Sequence, residues 1–320
     1  MGGDHGLRSS LPAAVNSLQR FPHLELTLVG IASQIRAALA NVPPRLQIVD
    51  AEQVVEMQDK PSTALRHKTR SSMRIALDML VAGEVDAVVS GGNTGALMAM
   101  SLVVLRNLPG IERPAMCTAL PTKKGHCLLL DLGANVDCDA AHLHQFALMG
   151  SALAASDGID NPRVTLLNIG AESVKGNEQV KRAHEMFTAD SQLNYCGFVE
   201  GDSLFDGIAD VVVCDGFAGN IALKTCEGTA SLISAKLRAQ FSRTPFTRAV
   251  GALARPVLNA LYRELDPQQY NGAVLLGVRG VVIKSHGNSS SAGFESAIAR
   301  AVNAVDKDLP GLIERALPRI

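Results

Sequence analysis

Apolar runs of strand length alternate along the chain with longer stretches whose apolar residues recur at helical spacing. LELTLVG (24–30), RLQIVD (45–50), DAVVSGG (86–92), HCLLLD (126–131), RVTLLNIG (163–170), ADVVVCDG (209–216) and VVIKS (281–285) predict buried strands. Runs apolar at consecutive positions suit parallel strands, because helices then cover both faces of each strand. Residues 62–82, 94–107, 139–156, 177–188, 217–240 and 289–308 carry the period of amphipathic helices. The alternation predicts an α/β fold with a doubly wound, mostly parallel sheet. With no internal repeat and no low-complexity linker, residues 1–320 read as a single elaborated domain.

Composition narrows this picture. Aromatic residues make up 4% of the chain and Trp is absent, so packing falls to Val, Leu, Ala and Gly. The content of 47% hydrophobic and 19% charged residues excludes global disorder. A formal net charge of −1 argues against a general nucleic-acid binder, which carries a basic excess. The longest apolar candidate, ALMAMSLVVL (96–105), is about half a membrane span. The opening MGGDHG lacks the basic and apolar regions of a signal peptide. The six cysteines form no C-x-x-C pair and no zinc spacing. They read as reduced, small apolar residues of a cytoplasmic protein, with a reactive thiol as the alternative.

Chemistry gathers at the predicted strand ends, where open α/β sheets bind ligands. These are MGGD (1–4), SGGNTGA (90–96), DLGAN (131–135), NIGAESVKGNE (168–178), CDGFAGNIALK (214–224) and KSHGNSSS (284–291). Each places small residues at a helix start, exposing N–H groups and the positive helix end to an anion. Six such ends on one sheet edge predict a site for a phosphate-like ligand. RHKTRSS (66–72) adds Arg66, His67, Lys68 and Arg70, read either as a solvated helix face or as a phosphate contact. Lys175 suits a developing oxyanion or a bound phosphate, and His286 suits proton transfer. Asp131, Asn135 and Asp215 read equally as caps. SGGNTG followed by Glu112 raises a dinucleotide fingerprint, but its spacing is not G-x-G-x-x-G. The acidic and histidine residues lack metal-ligand spacing, and no cofactor is implied.

A basic stretch stands apart. Between Gly228 and Arg263 no acidic residue occurs, while Lys236, Arg238, Arg243, Arg248, Arg255 and Arg263 interleave with apolar residues. Pro245 and Pro256 break it into shorter helices. It reads either as a solvated hairpin packed on a dimer partner or as a surface for anionic lipid or an acidic carrier protein.

Taken together, MGGD, RHKTRSSM, SGGNTGALM, LLLDLGANVD, LLNIGAESVKGNE, DVVVCDGFAGNIALKTCEG and VIKSHGNS resemble the bacterial phosphate acyltransferase family through nearly the whole chain. The resemblance implies transfer of a fatty acyl group from acyl carrier protein to inorganic phosphate. The acyl phosphate would feed the first acylation of glycerol 3-phosphate in phospholipid synthesis, with a glycerol 3-phosphate acyltransferase downstream. It also implies a Rossmann-like α/β/α homodimer related to phosphotransacetylases, peripheral to the membrane, with a projecting helical arm over 228–265. On this reading Lys175, Asn220 and His286 are catalytic. Asp4, Arg66, Lys68, Ser72, Gly92, Asn93, Thr94, Asn135, Asn177 and Asp215 bind phosphate or substrate. Arg248, Leu253, Arg255 and Leu258 meet the membrane or the carrier protein. Two departures stand out. The family usually has an apolar strand before MGGD, so a first strand is expected to be missing, and HGLRSSLPAA lacks the Pro that commonly follows the family's Gly-Gly-Asp turn. A dehydrogenase using NAD, a phosphotransacetylase acting on coenzyme A thioesters, and an inactive adaptor are the competing readings.

Overall fold

The computed structural model describes residues 1–39, 41–265 and 267–317. The strands are β1 (Leu26–Gly30), β2 (Leu46–Asp50), β3 (Ala87–Ser90), β4 (Ala115–Thr122), β5 (Gly125–Leu130), β6 (Arg163–Leu167), β7 (Asn194–Val199), β8 (Val211–Val213), β9 (Ala273–Leu276) and β10 (Val281–Lys284). The helices are α1 (Leu7–Arg20), α2 (Ala32–Ala38), α3 (Pro61–His67), α4 (Ser72–Ala82), α5 (Thr94–Val104), α6 (Ala140–Ser156), α7 (Glu178–Ala189), α8 (Gly216–Phe241), α9 (Pro245–Leu253), α10 (Arg255–Leu265), α11 (Ser291–Asp306) and α12 (Leu309–Ala316).

Eight strands form one sheet in the order β3-β10-β9-β4-β5-β8-β6-β7, while β1 and β2 pair in parallel as a separate sheet. The seven predicted strands are present. The elements that the pattern missed are α1, α2, α12, β4, β7 and β9. Local features account for several: Pro12 lies inside α1, Pro121 in β4 and Gly197 in β7, and α2 and α12 are only seven and eight residues long. The predicted helix over 62–82 is two helices. Lys68 ends the first by bonding the Val54 carbonyl and Asp59, and Ser71 caps the second through Arg74 N–H.

Side chains alternate across the sheet with the two-residue period of a strand. Leu128 and Leu130 join Phe146 and Phe187 under α6, α7, α11 and α12. Cys127 and Leu129 join Leu77, Leu97 and Met100 under α4 and α5. Both faces are therefore covered, giving the expected α/β/α sandwich, in which each fully buried Leu contributes roughly 1.5–3 kcal/mol.

At the end of β5 the buried Asp131 holds several elements together. Its Oδ1 accepts N–H bonds from Met116, Leu132 and Ala134 at 2.8, 2.7 and 3.2 Å. Its Oδ2 accepts the Asn135 N–H at 2.6 Å and the Asn135 Nδ2 at 3.0 Å. Burial pushes the Asp131 carboxyl above its ordinary pKa, and these donors pull against that. Asp131→Ala would leave several buried N–H groups without an acceptor. The expected loss of stability is at least about 3 kcal/mol, measured by urea unfolding.

Candidate active site

The pairing pattern corrects the expectation of six polar strand ends on one edge. β3 and β10 run parallel, as do β5, β8, β6 and β7. Between the two groups lie three successive antiparallel pairings: β10 with β9, β9 with β4, and β4 with β5. An odd number of reversals means that the two groups point in opposite directions. The ends of β3 and β10 thus lie at one edge, and those of β5, β8 and β6 at the other.

At the first edge, three loops meet through their backbones. Asp4 N–H donates to the Gly287 carbonyl at 2.7 Å. A Cβ on Gly3, whose φ is 89°, would stand 2.9 Å from that carbonyl oxygen, so glycine is required there. Gly92 is buried against Gly2, while Asp4 and Thr94 are exposed. Asn93 is committed to structure. Its Oδ1 caps α5 through Ala96 N–H, and its Nδ2 donates to the carbonyls of Glu56, Met57 and Asp59.

The basic stretch 66–72 is also committed. Lys68 pairs with Asp59 at 2.5 Å, Arg70 with Glu52, and Ser72 N–H bonds the Gln53 carbonyl. Arg66 is exposed. Among the described residues, neither Lys68 nor Arg70 has an ammonium or guanidinium without a carboxylate partner.

At the second edge, Asn135 donates to the Pro114 carbonyl and to Asp131, and Asp215 caps α8 through Ala218 N–H. Asn177 caps α7 through Val180 N–H. Lys175 sits on the loop after β6, which Asn168 braces by donating to the carbonyls of Gly170 and Lys175. Its ammonium is exposed and pairs with Glu172 at 2.8 Å, which raises the Lys175 pKa.

Helix α8 joins the two edges. Asn220 lies over Gly133 of the β5 loop, 3.6 Å from where a Gly133 Cβ would stand. One turn on, and so on the same helix face, Lys224 reaches the β10 loop. Its Nζ donates to His286 Nε2 at 2.7 Å and to Glu227 at 2.8 Å. Burial would raise Glu227, but His286 and Lys224 outweigh it and hold the carboxyl below its usual range. Asn271 fixes the His286 backbone, accepting its N–H at 2.8 Å and donating to Ser285, Ser289 and Gly293. The structure therefore brings Asn220 and His286 to one helix face and shows no contact from Lys175 to either.

Lys224, Glu227, Asn271 and Lys284 escaped the sequence reading. Lys224 and Lys284 stood inside the polar strand-end segments 214–224 and 284–291, Lys284 as a charge at the end of an otherwise apolar strand. It is buried, and its ammonium donates to the Ser285 carbonyl. Burial, followed by the like charge of Lys224, lowers its pKa to about 8, against the pull of Asp4.

Two competing readings lose support. Glu112 bonds within the loop before β4, its carboxylate 3.3 Å from His142, not at a strand end where a ribose would lie. Burial pushes the thiols of Cys117, Cys127 and Cys138 up to about 12, unfit for a thiolate nucleophile. Among the described residues no group of His, Cys, Asp and Glu has the arrangement of a metal site.

The arm is three helices, the distal part of α8 with α9 and α10, and α9 buries no residue. Arg248 bonds the Ser242 carbonyl, Arg255 is exposed and Leu258 is half-buried. Phe246, Leu253 and Val257 are 77%, 84% and 73% exposed. The side chain of Arg263 lies outside the described residues. No described helix is long and apolar enough to cross a membrane.

A stability prediction follows from Lys284. Its folded pKa of about 8 lies below the ordinary 10.5, so between these values the unfolded chain binds the extra proton. Unfolding free energy should therefore rise with pH across that window, and the burial penalty is complete below about pH 8. Lys284→Met is expected to stabilise the protein at pH 7 by up to about 3 kcal/mol. Urea unfolding of both forms at pH 7 and pH 10 should show that advantage shrinking.

Known proteins are similar to this chain in sequence and in fold. The family model described as "Fatty acid synthesis protein" matches residues 1–311. A phosphate acyltransferase of Alkalilimnicola ehrlichii is 55% identical over 322 residues, covering 99% of this chain and 94% of the relative. One from Pseudomonas syringae pv. tomato is 53% identical, covering 97% and 92%. In fold, the chain is similar to a phosphotransacetylase from Streptococcus pyogenes (TM-score 0.62, 17% identity, 94% and 91% covered). It is also similar to EutD phosphotransacetylase from Staphylococcus aureus (TM-score 0.59, 17% identity, 96% and 90% covered). With more than half its residues identical along almost the full length, the chain belongs to the phosphate acyltransferase family.

Proposed function

We propose that this chain transfers a fatty acyl group from the thioester of acyl carrier protein to inorganic phosphate, releasing an acyl phosphate for phospholipid synthesis. The observation that carries this is the near full-length identity to proteins named phosphate acyltransferase. The cations and backbone donors around α8 suit such chemistry, which needs a held anion and a polarised carbonyl.

A phosphate oxygen attacks the thioester carbon, and the carbonyl electrons collect on oxygen in a tetrahedral intermediate. Collapse forms the carbon–oxygen bond of the acyl phosphate and breaks the carbon–sulfur bond. The proton that the phosphate gives up ends on the leaving thiolate. His286 carries that proton. Its Nε2 faces Lys224 and Glu227, and its Nδ1 faces the Asn288 N–H. Asn220 and Lys175 stabilise the carbonyl oxyanion or the phosphate, Lys175 by exchanging Glu172 for substrate. Asp4, Gly92 and Thr94 line the phosphate side of the site.

Phosphate attacks directly, without an acyl-enzyme, because no nucleophile elbow is present. Acyl phosphate should form from acyl carrier protein thioester plus phosphate, and more slowly from the coenzyme A thioester. Lys175→Ala should lose roughly 10²–10³ in kcat. Full activity of that variant, or an acyl-enzyme trapped from labelled substrate, contradicts the scheme.

The exposed apolar and basic residues of the arm suit docking on anionic lipid, with Arg248 and Arg255 at the headgroups and Leu253 and Leu258 below them. Co-sedimentation with phosphatidylglycerol vesicles should fall sharply in Leu253→Glu and with added salt. Equal binding to neutral vesicles contradicts the lipid role.

A further inference from the structure

The end of β10 holds a cation that the proton-transfer scheme leaves unused. Lys284 is 8% exposed, and its ammonium makes one hydrogen bond, to the carbonyl of the next residue. An ammonium has three hydrogens to donate, so two remain unspent where little water reaches. Among the described residues no carboxylate forms an ion pair with it. Asp4 acts on it only at longer range, and Lys224 adds a like charge. A buried charge with so little compensation is costly, and it implies an anion supplied from outside the chain.

The surroundings say where that anion sits. Strand alternation puts Lys284 on the same sheet face as Val282, among the residues packed under α4 and α5. Its neighbour across the parallel pairing is Ser90 of β3. From Ser90 the chain passes through buried Gly91 and Gly92 directly into α5. Asn93 Oδ1 caps the Ala96 N–H there, and the remaining N–H groups of that turn form the positive end of an eleven-residue helix. We propose that Lys284 anchors the attacking inorganic phosphate, its ammonium and the first turn of α5 holding the anion from two sides.

This assignment rests on the acyl transfer to phosphate proposed above. It also separates the attacking phosphate from the phosphodiester that a carrier-bound or coenzyme A thioester brings with it. If Lys284 held that phosphodiester instead, its loss would weaken the acyl donor and leave phosphate alone.

The test uses the full chain and the variants Lys284→Met and Lys284→Gln, the second keeping a donor for the Ser285 carbonyl should the first not fold. Inorganic phosphate is titrated by ³¹P NMR without acyl donor, and initial rates are measured with each substrate varied in turn. The expected result is at least about a tenfold loss of phosphate affinity and a matching rise in phosphate KM, with donor KM within about twofold of the parent. A folded variant with parental phosphate affinity overturns the assignment, as does a rise confined to donor KM. The two proposals fail separately. Phosphate binding that depends on Lys284 in a protein making no acyl phosphate sinks the acyl-transfer reading and keeps the anion site. Normal turnover and normal phosphate KM in the variants do the reverse.

Discussion

Hydrogen bonding across β10, β9, β4 and β5 runs antiparallel three times in succession, so the strands on either side of this seam point in opposite directions. Much of the site geometry follows from that reversal. In a uniformly parallel sheet all polar strand ends share one crevice. Here the loops after β3 and β10 are parted from those after β5, β6 and β8. A connection is needed to bring their chemistry together, and α8 provides it. The helix starts at the capped end of β8, passes Gly133 at Asn220 and meets His286 at Lys224.

That route imposes its own packing constraint. α8 lies so close to the β5 loop that a Cβ on Gly219 would stand 1.9 Å from the Asp131 carbonyl oxygen. The close approach depends on Asp131 holding the loop in place. The result is a rigid scaffold on the β5 side, built from buried hydrogen bonds. The β10 side is built differently, from glycine backbones in direct contact and from the side chain of Asn271.

The electrostatics divide along the same line. Three charges that looked available in the sequence have carboxylate partners: Lys68 with Asp59, Arg70 with Glu52, Lys175 with Glu172. The last two are exposed pairs, which contribute little to stability. Lys284 is the opposite case, a charge held in the interior with little compensation. Stability alone would select an apolar residue at the end of an apolar strand, so its presence points to binding.

How far each feature could be read from the chain depends on the range of the interaction that fixes it. Apolar periodicity revealed seven strands and both covered faces, because burial of side chains is recorded residue by residue. β4 and β7 were hidden by a proline and a glycine, β9 also went unread, and with β4 and β9 went the reversal of direction. The glycine-rich strand ends were legible as polar loops beside helix starts, and His286 among them. The capping role of Asp215 was legible as one of two readings, but the commitments of Asn93 and Lys68 to capping and bracing were not, since a free polar side chain and a spent one look alike in one dimension. The sequence by itself determined the α/β class, the family and the stock of polar loops. Only the tertiary structure decided which loops share an edge, that α8 gathers Asn220, Lys224 and His286, and that Lys284 is buried, because strand direction and desolvation are set by contacts distant along the chain.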